Sequence, residues 1–136
     1  MSAGSKVLIM DDEAMMREML SMTLSASGYT VVLVEDGQEA IARFTEASAS
    51  GEAFDAVISD LNIRCGMGGK EAITKLLEVD PCAKVIVLSG SHCEPVMENC
   101  HDYGFSAALR KPYRLEKLES VLQRIIRGRK TSTSPC

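Results

Sequence analysis

Two short apolar runs, each stopping abruptly in carboxylates, constrain this chain more than anything else in it. The first is Lys6-Val7-Leu8-Ile9-Met10, followed by Asp11-Asp12-Glu13; the second is Phe54-Asp55-Ala56-Val57-Ile58-Ser59, followed by Asp60-Leu61-Asn62. Continuous aliphatic and β-branched runs of this length read as strands buried on both faces, the pattern of a parallel sheet. Open α/β sheets keep their ligand sites at the carboxyl ends of the strands. Neighbouring strands lie about 5 Å apart, so Asp11, Asp12 and Asp60 could converge on one hard cation.

The remaining segments supply matching units. From Glu13 to about Ser27, Met16, Met19, Leu20, Thr23 and Leu24 recur at helical spacing, with Arg17, Glu18 and Ser21 opposite. The methionine stripe reads as core packing rather than as a binding surface. Gly28 suits the left-handed position that closes such a helix, and Thr30-Val31-Val32-Leu33-Val34 is a second strand. Asp36-Gly37 leads into a helix with Ala40, Ile41 and Phe44 inward, and Ala47 to Gly51 reads as a loop. Between Asn62 and Gly69, three glycines imply a shaped loop at the mouth of the site. It is not a P-loop, because Gly69-Lys70-Glu71 lacks the hydroxyl that motif ends in.

A third helix carries Ile73, Leu76 and Leu77 inward and closes at Asp80-Pro81. Val85-Ile86-Val87-Leu88 is a fourth strand and delivers Ser89 to the edge where the acids stand. A helix starting near Pro95 shows Val96, Met97, Cys100 and Tyr103. Ser106 to Leu109 is a short fifth strand, followed by Arg110-Lys111-Pro112. The last helix, about Leu115 to Arg127, aligns Leu115, Leu118, Leu122 and Ile125. Five strands alternating with five helices predict an α/β fold: a doubly wound parallel sheet, helices on both faces, right-handed crossovers. One domain is expected over 6–127, with 1–5 and 128–136 as flexible ends.

Charge and cysteine usage exclude several classes. A formal net charge of −4 over 136 residues gives no electrostatic basis for direct nucleic-acid binding. No apolar run nears the roughly 20 residues of a membrane span, and acids follow Met10 too early for a secretory leader. A cytoplasmic chain without membrane contact is the expectation. Cys65, Cys82, Cys93, Cys100 and Cys136 form no C-x-x-C pair and read as reduced thiols. Cys65 is the one near Asp60 in sequence, where oxidation could reach the site.

Asp11-Asp12 after the first strand, Asp60 after the third, Ser89 after the fourth and Lys111-Pro112 after the fifth resemble the receiver domain of two-component response regulators. The resemblance spans about Lys6 to Arg127. It implies the flavodoxin-like strand order 2-1-3-4-5. It also implies that Asp60 is the nucleophile that takes a phosphoryl group from a phosphohistidine as an acyl phosphate. Asp11, Asp12, Asp60 and the backbone carbonyl of Asn62 would hold Mg2+, a hard ion that takes few carboxylates together with waters and phosphate oxygens. Lys111 would supply a positive charge to the phosphoryl oxygens and Ser89 a hydroxyl. Asn62 and Ser91 fall where family members tune hydrolysis of the acyl phosphate.

The implied partner is a histidine kinase or a histidine phosphotransfer domain. The implied chemistry is acceptance of a phosphoryl group with at most slow self-dephosphorylation, rather than enzymatic turnover. Gly66-Met67-Gly68-Gly69-Lys70-Glu71-Ala72 resembles receivers of hybrid sensor histidine kinases. A stand-alone single-domain regulator stays open beside that reading. The sequence departs from the family at Arg64, where a proline is usual, and at Ala108, where many receivers carry a switching Tyr or Phe. With Ala108 there, the signal would leave through backbone and loop shifts, with Tyr113 involved, or the domain would act as a phosphoryl way-station. Two other classes compete. A Mg2+ phosphohydrolase with an Asp nucleophile would usually place a second acid where Asn62 stands, and a degenerate interaction module would not need the four elements together.

Overall fold

The computed structural model describes residues 5–11, 13–60, 69–80, 83–89, 106–110 and 114–128. Strands β1 (Lys6–Met10), β2 (Thr30–Val34), β3 (Ala56–Asp60), β4 (Val85–Ser89) and β5 (Ala107–Arg110) form one sheet in the order β2-β1-β3-β4-β5. Every pairing is parallel. This is the doubly wound sheet that the alternation predicts, in the order that the resemblance implies. The described helices are α1 (Ala14–Ala26), α2 (Gly37–Ala49), α3 (Gly69–Val79) and α4 (Leu115–Gly128). The helix expected near Pro95 lies outside the described residues.

The apolar runs are continuous because the sheet is covered on both sides. Val7 and Ile9 of β1 join Ile58, Ile86 and Leu88 in a core roofed by Leu20 and Leu24 of α1 and Leu118, Val121 and Leu122 of α4. Leu8 and Met10 turn the other way and meet Val57, Val85 and Val87 beneath Phe44 of α2 and Ile73 and Leu76 of α3. Alternation thus serves two cores at once. Each fully buried aliphatic or aromatic side chain contributes about 1.5–3 kcal/mol relative to exposure. Ser27 of the α1 C-cap donates its hydroxyl to Glu119 Oε2 at 2.7 Å, tying the two helices of one face together.

Two helix ends use the same device. After α1, Gly28 N–H reaches Ser25 O and Tyr29 N–H reaches Leu24 O, with Gly28 at φ 99°. After α2, Gly51 N–H reaches Ser48 O and Glu52 N–H reaches Ala47 O, with Gly51 at φ 83°. Both are Schellman caps, which need the left-handed conformation that glycine adopts without strain. The second cap corrects the expectation of a loop over Ala47 to Gly51. The small residues there continue α2 to Ala49, and Ala47 is buried in the helix face.

A second correction concerns α1. Leu20 and Leu24 are buried as expected, but Met19 is 44% exposed and Arg17 is drawn inward, its side chain 17% exposed. Arg17 reaches back from the first turn to Asp11 O at the polar end of the sheet instead of out to solvent.

The opposite, amino-terminal edge is laced by polar contacts. Lys6 N–H donates to Asp55 Oδ2 and Asp55 N–H to Lys6 O, each at 2.7 Å. Lys6 Nζ donates to Glu52 O at 3.2 Å and stands 4.7 Å from the centre of the Phe54 ring. Val85 N–H donates to Ser106 Oγ at 3.2 Å while Ser106 N–H donates to Val85 O at 2.7 Å.

Candidate functional site

The register brings the sequence-predicted acids together. Met10 pairs with Ser59, so the residues that follow them, Asp11 and Asp60, leave adjacent strands at the same level. Asp11 N–H donates to Val34 O at 3.2 Å, carrying the β1–β2 ladder one step past the strand. Asp60 pairs with Leu88, and Ser89 with Arg110, so Ser89 ends β4 one register step beyond Asp60. Asp12, Asn62 and Lys111 lie outside the described residues, as do Ser91, Cys65, Arg64 and Tyr113. Ser89 is placed by strand register alone.

Asp11 and Asp60 are each only 1% exposed. Burial of a carboxylate is costly unless it is paired or coordinates a metal. One carboxylate oxygen from each of Asp11, Glu13 and Asp60 lies within 4.8 Å of the other two. Sequence reasoning missed Glu13 as a member of this group, because an acid at the start of a helix usually serves the helix dipole. Glu13 occupies the N-cap position of α1, yet its side chain makes no capping hydrogen bond. The cap position's N–H instead donates to Asp11 Oδ1 at 2.9 Å, folding the turn back on the first acid. That short Asx-type closure is what brings the Glu13 carboxylate to the cluster.

A hard divalent cation fits this donor set. The ligands are all carboxylate oxygens, the hard donors that Mg2+ favours, and they stand close enough together to face one ion. Three like charges at this distance repel one another. A positive group is nearby: Arg17 Nη1 donates to Asp11 O at 2.7 Å, while Arg17 Nη2 stands 3.8 Å from Glu35 Oε1. The guanidinium contacts the main chain behind the acids and leaves the clustered carboxylate oxygens to other partners.

Known proteins resemble this chain in sequence and in fold. The sequence pattern of the response regulator receiver domain matches residues 7–123. Chemotaxis protein CheY of Thermotoga maritima is 28% identical over 123 residues, covering 90% of this chain and 98% of that protein. A response regulator receiver protein of Anaeromyxobacter is 31% identical over 113 residues, covering 83% of this chain but 45% of that protein. The chain therefore spans nearly all of one relative and less than half of the other. Among solved structures, chemotaxis protein CheY4 of Vibrio cholerae superposes with a TM-score of 0.76 at 31% identity, covering 90% of this chain and 99% of that one. A match of that extent, on a sheet whose strands end in these acids, makes the chain a member of the response regulator receiver domain family of two-component signalling.

Proposed function

We propose that the chain accepts a phosphoryl group on Asp60 from the phosphohistidine of a histidine kinase or histidine phosphotransfer domain, in a Mg2+-dependent step. The observation that carries the reading is the meeting of the buried Asp11 and Asp60 with the exposed Glu13 at the carboxyl edge of the sheet. Bound Mg2+ would neutralise charge on the acids and on the incoming phosphoryl oxygens. Asp11, Asp12 and Asp60 would hold it with the Asn62 carbonyl, the donor types that it favours.

Asp60 Oδ attacks phosphorus, the bond from phosphorus to the imidazole nitrogen breaks, and the imidazole leaves neutral after protonation. An acyl phosphate on Asp60 results. Burial at the strand end strips competing water from the nucleophile and strengthens each electrostatic contact around it. Lys111 is assigned to the phosphoryl oxygens and Ser89 to a hydrogen bond with them.

Within this reading the domain occupies 6–127 and works in the cytoplasm. The Gly66–Ala72 stretch supports a place in a hybrid histidine kinase, with a stand-alone regulator as the alternative. The testing experiment is incubation with a small phosphodonor, with and without Mg2+, followed by intact-mass measurement of wild type and Asp60→Asn. A Mg2+-dependent gain of one phosphoryl group, absent from the variant, is expected. Repeated release of phosphate from a small phosphate ester, without a stable adduct, would instead identify a phosphohydrolase.

A further inference from the structure

We infer that Arg17 is a positioning residue for the acidic pocket, holding the main-chain carbonyl of Asp11 and so setting the direction from which the acids meet a divalent cation. The inference rests on the cation-binding reading given above and deepens it. Long cationic side chains on a helix ordinarily carry their charge out to water. Arg17, in the first turn of α1, keeps its side chain at 17% exposure instead. Its Glu35 partner does not explain this, because that carboxylate is 72% exposed and 3.8 Å away, and pairs of this kind are worth little. The short contact is the one to Asp11 O, at 2.7 Å. A charged donor on a neutral carbonyl makes one of the stronger hydrogen bonds.

The consequence follows from peptide planarity. The Asp11 carbonyl belongs to a rigid peptide plane, so a guanidinium fixed on that oxygen restrains the backbone directly after the first acid. Asp11 is then held at three points. Its N–H donates to Val34 O, its carbonyl accepts from Arg17, and its Oδ1 accepts from Glu13 N–H. Arg17 N–H in turn donates to Glu13 O at 3.1 Å, closing the turn from its far side. Arg17 thus brings a positive charge behind a crowd of carboxylates without using the clustered oxygens that a cation would take. Residues that orient metal ligands from behind have measurable effects on affinity even though they never touch the ion.

The test uses the full chain as wild type, Arg17→Ala, Arg17→Lys and Glu35→Gln. Mg2+ is titrated by calorimetry, and amide hydrogen exchange is read without metal. Arg17→Ala is expected to weaken Mg2+ binding about tenfold, the lower end for such supporting groups, with Arg17→Lys between it and wild type and Glu35→Gln unchanged. The Glu13 amide should exchange faster in Arg17→Ala while those of Leu20 and Leu24 keep their protection, which separates local loosening from fraying of the whole helix. Mg2+ affinity within about twofold of wild type in both Arg17 variants would overturn the inference, as would acceleration spread evenly along α1. Should Arg17→Ala not fold, Arg17→Lys carries the comparison. If wild type takes up no Mg2+, the cation-binding reading fails, and exchange at Glu13 alone decides whether Arg17 holds this turn.

Discussion

Strands β2 and β3 are built alike and end differently. Each is five residues long, each pairs in parallel with β1, and each runs directly into or onto an acid. β3 is buried at every position and closes on Asp60 at 1% exposure; β2 is buried only at Val34, and Glu35 beyond it is 72% exposed. The difference is the number of neighbours. β3 has β1 on one side and β4 on the other, while β2 is the edge of the sheet. An aliphatic run ending in an acid is therefore not a site in itself. It becomes one where flanking strands and helices on both faces remove water from the acid, so that its charge must be met by another group.

Substitutions at matched places in the two strands would break or sharpen this contrast. The largest effect on function is expected at Asp60. Asp60→Asn should abolish the phosphoryl adduct and raise stability in metal-free buffer. Two unit charges about 5 Å apart at an effective dielectric of 20 repel by roughly 3 kcal/mol, so a gain of about 1–3 kcal/mol in urea unfolding, shrinking on addition of Mg2+ to wild type, is the expected result. Next comes Ile58→Ala in the middle of β3, which should cost about 2–5 kcal/mol, against about 1–2 kcal/mol for Leu33→Ala, which flanks the same β1 residue, Ile9, from the half-buried β2. Equal losses from the two would remove the argument from neighbours.

Glu13→Gln should weaken Mg2+ binding severalfold with little change in unfolding, since the group is exposed but within reach of the cluster; unchanged affinity would return Glu13 to the solvent. The smallest effect is expected from Glu35→Gln, within about 0.5 kcal/mol in the same unfolding assay. A larger loss there would mean that the edge acid is not the bystander its exposure makes it.

The strands were legible because burial on both faces leaves an uninterrupted aliphatic run, and Asp11 and Asp60 were legible because they interrupt it. The order of the strands is not contained in that pattern; it came with the likeness to a family. Helix faces were read less well. Hydrophobic spacing alone assigned Met19 to the core, whereas Met15, Met19 and Met22 are all exposed and Arg17 faces in. Side-chain polarity along a helix does not register that one end of a sheet is itself polar and draws a guanidinium toward it. The run Ala47 to Gly51 reads as a loop because small residues look loose, although its last two residues, Ser50-Gly51, are a helix stop in their own right. Glu13 escaped notice because its part depends on a turn closed by Asp11 Oδ1, a contact that no periodicity announces.

The lacing of the amino-terminal edge by Lys6, Asp55, Glu52 and Ser106 has an evolutionary corollary. The groups that fasten the strands together stand at one end of the sheet and the crowded acids at the other, a full strand length away. Changes more than about 7–10 Å apart with no shared partners usually act independently. Substitutions that loosen or tighten one rim are therefore expected to add to changes among the acids at the opposite rim, with little epistasis between the two.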